Sequence, residues 1–326
     1  MLDLVLIILL IIVSLVALVK GADYLVDGAA DIAKILRVSP MLVGLTVVAF
    51  GTSLPELMVS LFSAFAGSPN LSIGNIVGSN IFNIAAIIGI SAVLVPLTIK
   101  SRTIMYEFPF LIISAFMLAL LSVDVFIYNR TTFILSRLDA LALLTLFGFF
   151  IYYIYLSARQ DRTHNGKKAA LLFKHQRTTL QNIIFIVGGL AALIVGGKLF
   201  TYAAQQLAVQ AGLSESFIGL TIAAIGTSLP ELFTSVTAAF KKQYDIAVGN
   251  ILGSNIFNIL FILGIVTLIH PLEVSRAMVA IDMMVMIGVS GLFLFFAGRY
   301  GKISRLTGIT LLITYAFYFA WLVYQL

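Results

Sequence analysis

The chain has 326 residues, of which 61% are hydrophobic and 10% are charged. A soluble domain has about 45–50% apolar and about 25% charged residues, so this composition excludes a soluble protein and indicates a polytopic α-helical protein of the lipid bilayer. The apolar runs are continuous rather than alternating, which excludes a transmembrane β-barrel. The net charge of +6 is interpreted as a topology signal and not as a nucleic-acid-binding surface, and the absence of cysteine excludes disulfides and thiolate–metal sites.

Ten apolar segments follow one another along the chain, each near the roughly 20 residues that a helix needs to cross a bilayer. We therefore predict an all-α membrane protein with ten transmembrane helices. The segments cover residues 3–20, 42–66, 71–95, 104–123, 138–158, 180–204, 217–240, 246–269, 278–297 and 305–325.

Two sequence motifs occur twice, and both pairs have the same spacing of 175 residues. The run GTSLPE stands at Gly51–Glu56 and again at Gly226–Glu231. The run GNIVGSNIFN at Gly74–Asn83 is matched by GNILGSNIFN at Gly249–Asn258. The chain is therefore predicted to consist of two related halves.

A basic connection divides the two halves. It covers residues 159–179, and it separates a first repeat at 1–158 from a second repeat at 180–326, each with five predicted helices. Because five is an odd number, the second repeat must enter the membrane from the opposite side. This inverted repeat is typical of secondary transporters, whose substrate sites lie at broken helices near the bilayer midplane.

The distribution of Lys and Arg predicts the orientation. The connections that follow the odd-numbered segments hold 16 of the 20 basic residues. Cytoplasmic connections carry the excess of positive charge in membrane proteins. We therefore expect the 159–179 linker to be cytoplasmic and both termini to lie outside the cell.

The repeated motifs place polar side chains near the midplane. Glu56 and Glu231 are each the fifteenth residue of their segments, and Asn83 and Asn258 are each the thirteenth. A carboxylate at the bilayer centre costs about 2.5–3.5 kcal/mol on insertion scales. Two such carboxylates at symmetric positions are therefore expected to bind something positively charged.

Each GTSLPE motif also predicts a break in its helix. Pro55 and Pro230 lack a backbone donor and disfavour helix at the preceding residue. We expect the break to free carbonyl groups around Ala49 and Ala224 and to point them into a cavity, because unwound backbone at membrane depth is tolerated only where it is buried or lines water.

The side chains of the motifs form an oxygen-only set of potential ligands. Thr52 lies four residues before Glu56, and Ser79 lies four residues before Asn83, so that each pair can share a helix face; the second repeat has the same spacings. Such hard oxygen ligands suit Na⁺, Ca²⁺ or Mg²⁺ and argue against Zn²⁺, Cu⁺ or Fe. Helix–helix bonding is the expected role of the remaining polar residues of the motifs, namely Ser53, Ser228, Asn75, Asn80, Asn250 and Asn255.

The two motif pairs resemble the alpha-repeat signatures of the cation/Ca²⁺ exchanger superfamily, specifically its prokaryotic Na⁺/Ca²⁺ exchangers and their bacterial inner-membrane calcium/sodium antiporter branch. The resemblance covers essentially the whole chain. It implies a multi-pass antiporter of the prokaryotic plasma membrane that exchanges Na⁺ for Ca²⁺ by alternating access, without a cofactor and without enzymatic activity. It also implies that the transported ions bind at Glu56, Thr52, Ser53, Ala49, Ser79 and Asn83, and at Glu231, Thr227, Ser228, Ala224, Ser254 and Asn258.

The chain departs from this family pattern at Asn258, where an archaeal member has Asp. Two carboxylates would be neutralised by one Ca²⁺ or two Na⁺, whereas a third Na⁺ would leave an uncompensated charge. The family's expected 3:1 ratio is therefore in doubt for this chain. An H⁺- or K⁺-coupled cation exchanger is the alternative, and a cation channel is disfavoured by the broken helices of an inverted repeat. The sequence defines no oligomeric state.

Overall fold

The structure, a computed structural model, describes residues 4–67, 69–122, 132–165, 177–211 and 224–324. Within these residues we number twelve helices and four short strands in chain order. The helices of the first half are α1 (Leu4–Leu36), α2 (Pro40–Thr52), α3 (Leu54–Phe65), α4 (Pro69 to Leu94), α5 (Ser101–Leu121) and α6 (Arg137–Asn165). Those of the second half are α7 (Thr179–Gln210), α8 (Ala224–Thr227), α9 (Leu229–Phe240), α10 (Tyr244–Ile269), α11 (Met278–Tyr300) and α12 (Arg305–Tyr324).

Eight helices of the described residues are long and apolar enough to cross a membrane, and the count rises to nine if the bent pair α2–α3 forms one span. The prediction of a helical membrane protein is confirmed in this form. Each of the ten predicted segments contains helix, although the beginning of the seventh lies outside the described residues.

Several helices extend beyond the predicted segments. Helix α1 continues past residue 20 to Leu36, because its later turns keep an apolar face of residues such as Leu25 and Ala29 buried while acidic residues occupy the opposite face. Helix α6 likewise continues to Asn165, inside the predicted linker.

The connections contain four short strands, which the sequence analysis did not predict. Strand β1 (Leu97–Thr98) pairs antiparallel with β4 (Lys302–Ile303), and β2 (Thr132–Leu135) pairs antiparallel with β3 (Leu272–Ser275). Strands of two to four residues are too short to give a periodic pattern in the sequence. Each pair joins two connections that the ten-segment prediction assigns to the same side of the membrane.

Helices α4 and α10 form the centre of the molecule. About 83% of the most apolar window of each is buried, compared with 22% for α1, α6 and α12. The outer helices instead expose large apolar side chains such as Leu138 and Phe317, as lipid-facing surfaces do. The two GNIxGSNIFN motifs therefore lie on the two helices that are enclosed by all the others.

Helices α1 and α7 pack antiparallel through small residues. A Cβ atom at Gly189 would lie 2.7 Å from the carbonyl oxygen of Gly21, and one at Gly21 would lie 2.9 Å from the carbonyl oxygen of Gly189. Such distances are shorter than real Cβ contacts, so the two backbones can approach this closely only because both residues are glycine.

The predicted helix breaks are present in both GTSLPE motifs. Helices α2 and α3 meet at 43°, and Ser53 between them has φ −84° and ψ 4°. Ser228 between α8 and α9 has nearly the same conformation, with φ −92° and ψ 8°. The prediction that the break frees the Ala49 carbonyl is wrong, because this oxygen still accepts a hydrogen bond from the Ser53 backbone N–H at 3.0 Å.

Candidate ion-binding site

The two GTSLPE motifs exchange hydrogen bonds between the halves of the chain. Ser53 Oγ donates to Glu231 Oε1 at 3.0 Å, and Ser228 Oγ donates to Glu56 Oε1 at 2.9 Å. Both carboxylates have no solvent exposure. Because each serine stands at the helix break of its own half, the breaks bring each hydroxyl to the carboxylate of the other half.

Three further predicted site residues surround Glu231. Ser254 Oγ lies 3.3 Å from Glu231 Oε1 and 3.5 Å from the carbonyl oxygen of Ala49. Thr52 Oγ1 also lies 3.5 Å from Ser254 Oγ. Oxygen atoms from α2, α9 and α10 thus meet at one point inside the protein.

Several oxygen atoms of the predicted set have no hydrogen-bond partner among the described residues, although they are fully buried. A single buried polar atom without a partner is only destabilising, but several of them within the same two motif pairs indicate a missing ligand. They are Glu56 Oε2, Glu231 Oε2, Asn83 Oδ1, Asn258 Oδ1 and Ser79 Oγ.

Among the described residues, no positive side chain compensates the two carboxylates. None of the ion pairs that join described residues involves Glu56 or Glu231. The described residues also contain no group of three or more His, Cys, Asp or Glu that could hold a metal. A buried, uncompensated pair of carboxylates lined by neutral oxygens therefore requires cations or protons from outside the chain.

Asn83 and Asn258 lie in π-helical turns of the central helices, at Phe82–Ile87 and Phe257–Leu263. Such turns are frequent at functional sites. Each of the two side chains is tied to an asparagine of the opposite half, since Asn258 Nδ2 donates to Asn80 Oδ1 and Asn83 Nδ2 donates to Asn255 Oδ1, both at 3.0 Å. The expected helix–helix bonding of Asn80 and Asn255 is confirmed.

Asn250 contacts the site more closely than the sequence analysis expected. Its Oδ1 accepts the Thr52 hydroxyl at 3.1 Å, and its Nδ2 donates to the Glu231 carbonyl at 3.4 Å and to Ser235 Oγ at 3.0 Å. Asn75 makes the equivalent bonds to Thr227, to the Glu56 carbonyl and to Ser60.

Ser60 and Ser235 were missed by the sequence analysis. Each hydroxyl accepts a hydrogen bond from the asparagine of its own half, at 3.1 and 3.0 Å. They lie four residues after Glu56 and Glu231, and the spacing of 175 residues relates them to each other. This spacing is the signal that could have identified them.

A cavity of about 450 Å³ opens between α3, α7 and the α8–α9 break, and it reaches Thr227 and Pro230. Its wall on α7 includes Thr201 and Gln205. The repeat-related residues of α1, Val26 and Ala30, are buried instead. Among the described residues, the cavity therefore reaches the site beside α7, whereas the repeat-related residues of α1 are packed against their neighbours.

The model of the sodium/calcium exchanger protein family matches residues 6–156 and 181–324 of the chain. The chain is 39% identical to the putative antiporter CaxA of Alkalimonas amylolytica, with 91% of each protein covered. It is 32% identical to the sodium/calcium exchanger MaX1 of Methanosarcina acetivorans, with 97% of each covered.

The solved structures include a similar fold. A structure of the sodium–calcium exchanger NCX_Mj, soaked with zero Na⁺ and Ca²⁺, superposes with a TM-score of 0.80 at 31% identity and covers 98% of this chain and 100% of its own. Together with the repeated motifs, the crossed carboxylates and the oxygen-lined interior, these similarities show that the chain belongs to the sodium/calcium exchanger protein family.

Proposed function

We propose that this protein exchanges Na⁺ for Ca²⁺ across the membrane. The observation that carries the proposal is the pair of buried carboxylates. Each has one oxygen bound by the serine of the other half and one oxygen without a partner among the residues that the structure describes. Such an arrangement holds two negative charges in place and leaves oxygens free for a hard cation. The names of MaX1 and NCX_Mj as sodium/calcium exchangers support the choice of ions.

Each ligand that we propose offers an oxygen atom. Each lies either at or beside one of the two helix breaks, or on one of the central helices α4 and α10. Ca²⁺ and Na⁺ would compete for the same carboxylates, so that one Ca²⁺ or two Na⁺ neutralise the site, and this competition couples the two fluxes. The proposed ligands are the side chains of Glu56, Glu231, Thr52, Thr227, Ser53, Ser228, Ser79, Ser254, Asn83 and Asn258, and the carbonyls of Ala49 and Ala224. The Ala49 oxygen has a second lone pair besides the one that accepts the Ser53 N–H.

We further propose that transport proceeds by alternating access. The cavity beside α7 would admit ions from one side, while the close packing of α1 against α9 shuts the equivalent route of the other half. Movement of α1 and α7 relative to the remaining helices would close the route beside α7 and open the equivalent route beside α1. We propose together with this mechanism the ten-helix inverted repeat, with repeats at 1–158 and 180–326, a cytoplasmic linker at 159–179 and both termini outside a prokaryotic plasma membrane.

The proposal is tested by ⁴⁵Ca²⁺ uptake into proteoliposomes that contain the purified protein. The vesicles are loaded with Na⁺, with K⁺ or with a proton gradient in separate experiments. Uptake that depends on internal Na⁺ and saturates with Ca²⁺ is the expected result. Uptake driven equally by K⁺ or by the proton gradient would instead support the alternative coupling, and non-saturating flux without any counter-ion would indicate a channel.

A further inference from the structure

Four asparagines form a closed hydrogen-bonded set between the central helices α4 and α10. All four side chains are at most 1% exposed. Asn80 and Asn255 donate from Nδ2 to each other's backbone carbonyl oxygens, at 3.3 and 3.4 Å. Their Oδ1 atoms accept the Nδ2 groups of Asn258 and Asn83, each at 3.0 Å. We call these four residues the asparagine quartet.

The quartet determines how two of its members face the interior. A side-chain amide has an oxygen acceptor on one side and an NH₂ donor on the other, and the two are interchanged by a half-turn of the amide group. In Asn83 and Asn258 the NH₂ group is bound by the quartet, and the buried Oδ1 atom has no partner in the described parts of the chain. An NH₂ group in that place would repel a cation, whereas an amide oxygen can bind one.

We propose that Asn80 and Asn255 are positioning residues that select oxygen, and not nitrogen, as the group that Asn258 and Asn83 present to the transported ion. The inference rests on the ion exchange proposed above and assigns a role to residues outside the ligand set. The donors of Asn80 and Asn255 are bound to main-chain carbonyls, so that their own amides cannot turn without losing a hydrogen bond.

The same hydrogen bonds also favour neutral side chains at positions 83 and 258. The acceptor Asn80 Oδ1 requires a donor at position 258, and a carboxylate there would place two acceptor oxygens against each other. If Asn80 turned its NH₂ group towards such a carboxylate, its bond to the Asn255 carbonyl would be lost. The quartet is therefore matched to neutral residues at positions 83 and 258, and it leaves Glu56 and Glu231 as the two charges.

The test compares Asn80→Ala with Ser91→Ala in Na⁺-loaded proteoliposomes. Ser91 is a suitable control because it is a fully buried polar residue of α4 whose hydroxyl has no hydrogen-bond partner among the described residues and belongs neither to the quartet nor to the ligand set. Asn80→Ala is expected to raise the KM for Ca²⁺ about tenfold, since it leaves the Asn258 amide free to turn. The maximal rate is expected to stay within about twofold, and Ser91→Ala should change neither quantity.

A double-mutant cycle distinguishes positioning from a general effect on packing. If Asn80 acts through Asn258, adding Asn80→Ala to Asn258→Ala should raise the KM no further, because the oxygen that Asn80 orients is already absent. Equal and additive effects of the two substitutions would overturn the proposal, as would an unchanged KM in Asn80→Ala alone.

The symmetric half of the quartet repeats the test independently. Asn255→Ala and Asn83→Ala should show the same non-additivity, and additive effects there would count equally against the proposal. This second cycle also replaces the first if Asn80→Ala does not accumulate in the membrane. If the native protein shows no Na⁺-dependent Ca²⁺ uptake, the proposed function fails; if native uptake is normal and both cycles are additive, only the role of the quartet fails.

Discussion

The exchanged hydrogen bonds between Ser53 and Glu231 and between Ser228 and Glu56 make each carboxylate depend on both halves of the chain. Each bond uses one carboxylate oxygen, and the other oxygen has no hydrogen-bond partner among the described residues. The serine hydroxyl is neutral, so each carboxylate keeps its charge in a buried place, where an uncompensated charge is costly.

Replacement of either carboxylate is predicted to abolish exchange. Glu56→Gln or Glu231→Gln keeps the shape of the side chain but removes half of the charge that balances Ca²⁺, so Na⁺-dependent ⁴⁵Ca²⁺ uptake should fall by more than about tenfold. Glu273→Gln, at an exposed position of β3, is the matched control and should transport normally. Native-like exchange by Glu56→Gln in correctly inserted protein would contradict the assignment.

The charge at the site also predicts how transport responds to voltage. With Asn at position 258 the site carries two carboxylates, so exchange of one Ca²⁺ for two Na⁺ moves no net charge. We expect Ca²⁺ flux to be nearly independent of a membrane potential set with K⁺ and valinomycin. A steep dependence, as a 3:1 exchanger shows, would mean that the charge balance is wrong.

At the scale of helices, close packing of α1 against α7 depends on glycines that are not interchangeable. Gly189 is buried against the backbone of α1, whereas no atom of another described helix lies within 4 Å of a Cβ built on its neighbour Gly188. At Gly189 the helix contact therefore excludes an added methyl group, whereas at Gly188 there is room for one.

This difference gives a matched pair of substitutions. Gly189→Ala should destabilise the protein by about 1–3 kcal/mol, because the added methyl group forces the two helices apart. Gly188→Ala should be neutral or slightly stabilising, because alanine has a higher helix propensity. Thermal unfolding of the purified protein in detergent measures both effects, and equal behaviour of the two variants would disprove the close contact.

Ion pairs hold α1 to the end of α9 on the side opposite the cavity. Lys241 Nζ lies 2.7 Å from Asp27 Oδ1 and 3.1 Å from Asp23 Oδ1. The repeat-related positions on α7 are Lys198 and Tyr202, which line the open cavity. On the closed side, ion pairs thus link α1 to the end of α9. Among the described residues, no ion pair links α7 to α3 at the equivalent place on the open side.

We therefore predict that Lys241→Gln favours opening of the closed side. The measurement is the rate at which a cysteine, introduced by Thr234→Cys, reacts with an impermeant thiol reagent applied to inside-out vesicles. Thr234 is fully buried on α9 and is related by the repeat to Val59, which lines the cavity. Lys241→Gln should accelerate labelling, while the exposed neighbour Lys242→Gln should not; equal rates would rule out a role for the ion pair in closure.

At the scale of the whole molecule, the pairings of the connections agree with the predicted arrangement of sides. Strands β1 and β4 join two connections on one predicted side, and β2 and β3 join two on the other. The ion pair between Lys100 and Asp245 likewise links two connections that are both predicted to be cytoplasmic. These contacts group the connections, whereas the direction relative to the cell rests on the basic residues alone.

That direction is tested by labelling single cysteines in intact cells. Asn165→Cys, at the end of α6, should be protected from an impermeant thiol reagent added outside, and Glu273→Cys should react with it. The native chain contains no cysteine, so the background should be low. The reverse pattern of labelling would invert the predicted topology.

The sequence by itself determined the class of the protein, its two motif pairs and the buried carboxylates. These features are encoded locally, because the length of an apolar run, the position of Pro55 or Pro230 and the charge of a glutamate do not depend on distant contacts. The 175-residue spacing showed that the two halves are related, and it was sufficient to predict that Glu56 and Glu231 occupy equivalent positions.

Only the tertiary structure decided how these residues meet. The partners in the serine–glutamate bonds are 178 and 172 residues apart, and those in the bonds between the Asn258 and Asn80 side chains are 178 residues apart. The orientation of an amide, the retained hydrogen bond of the Ala49 carbonyl and the opening of one side alone all depend on such long-range packing. A repeat in the sequence specifies two equivalent halves, whereas the described residues of the two halves pack differently around the cavity, and this packing joins residues that are far apart in the sequence.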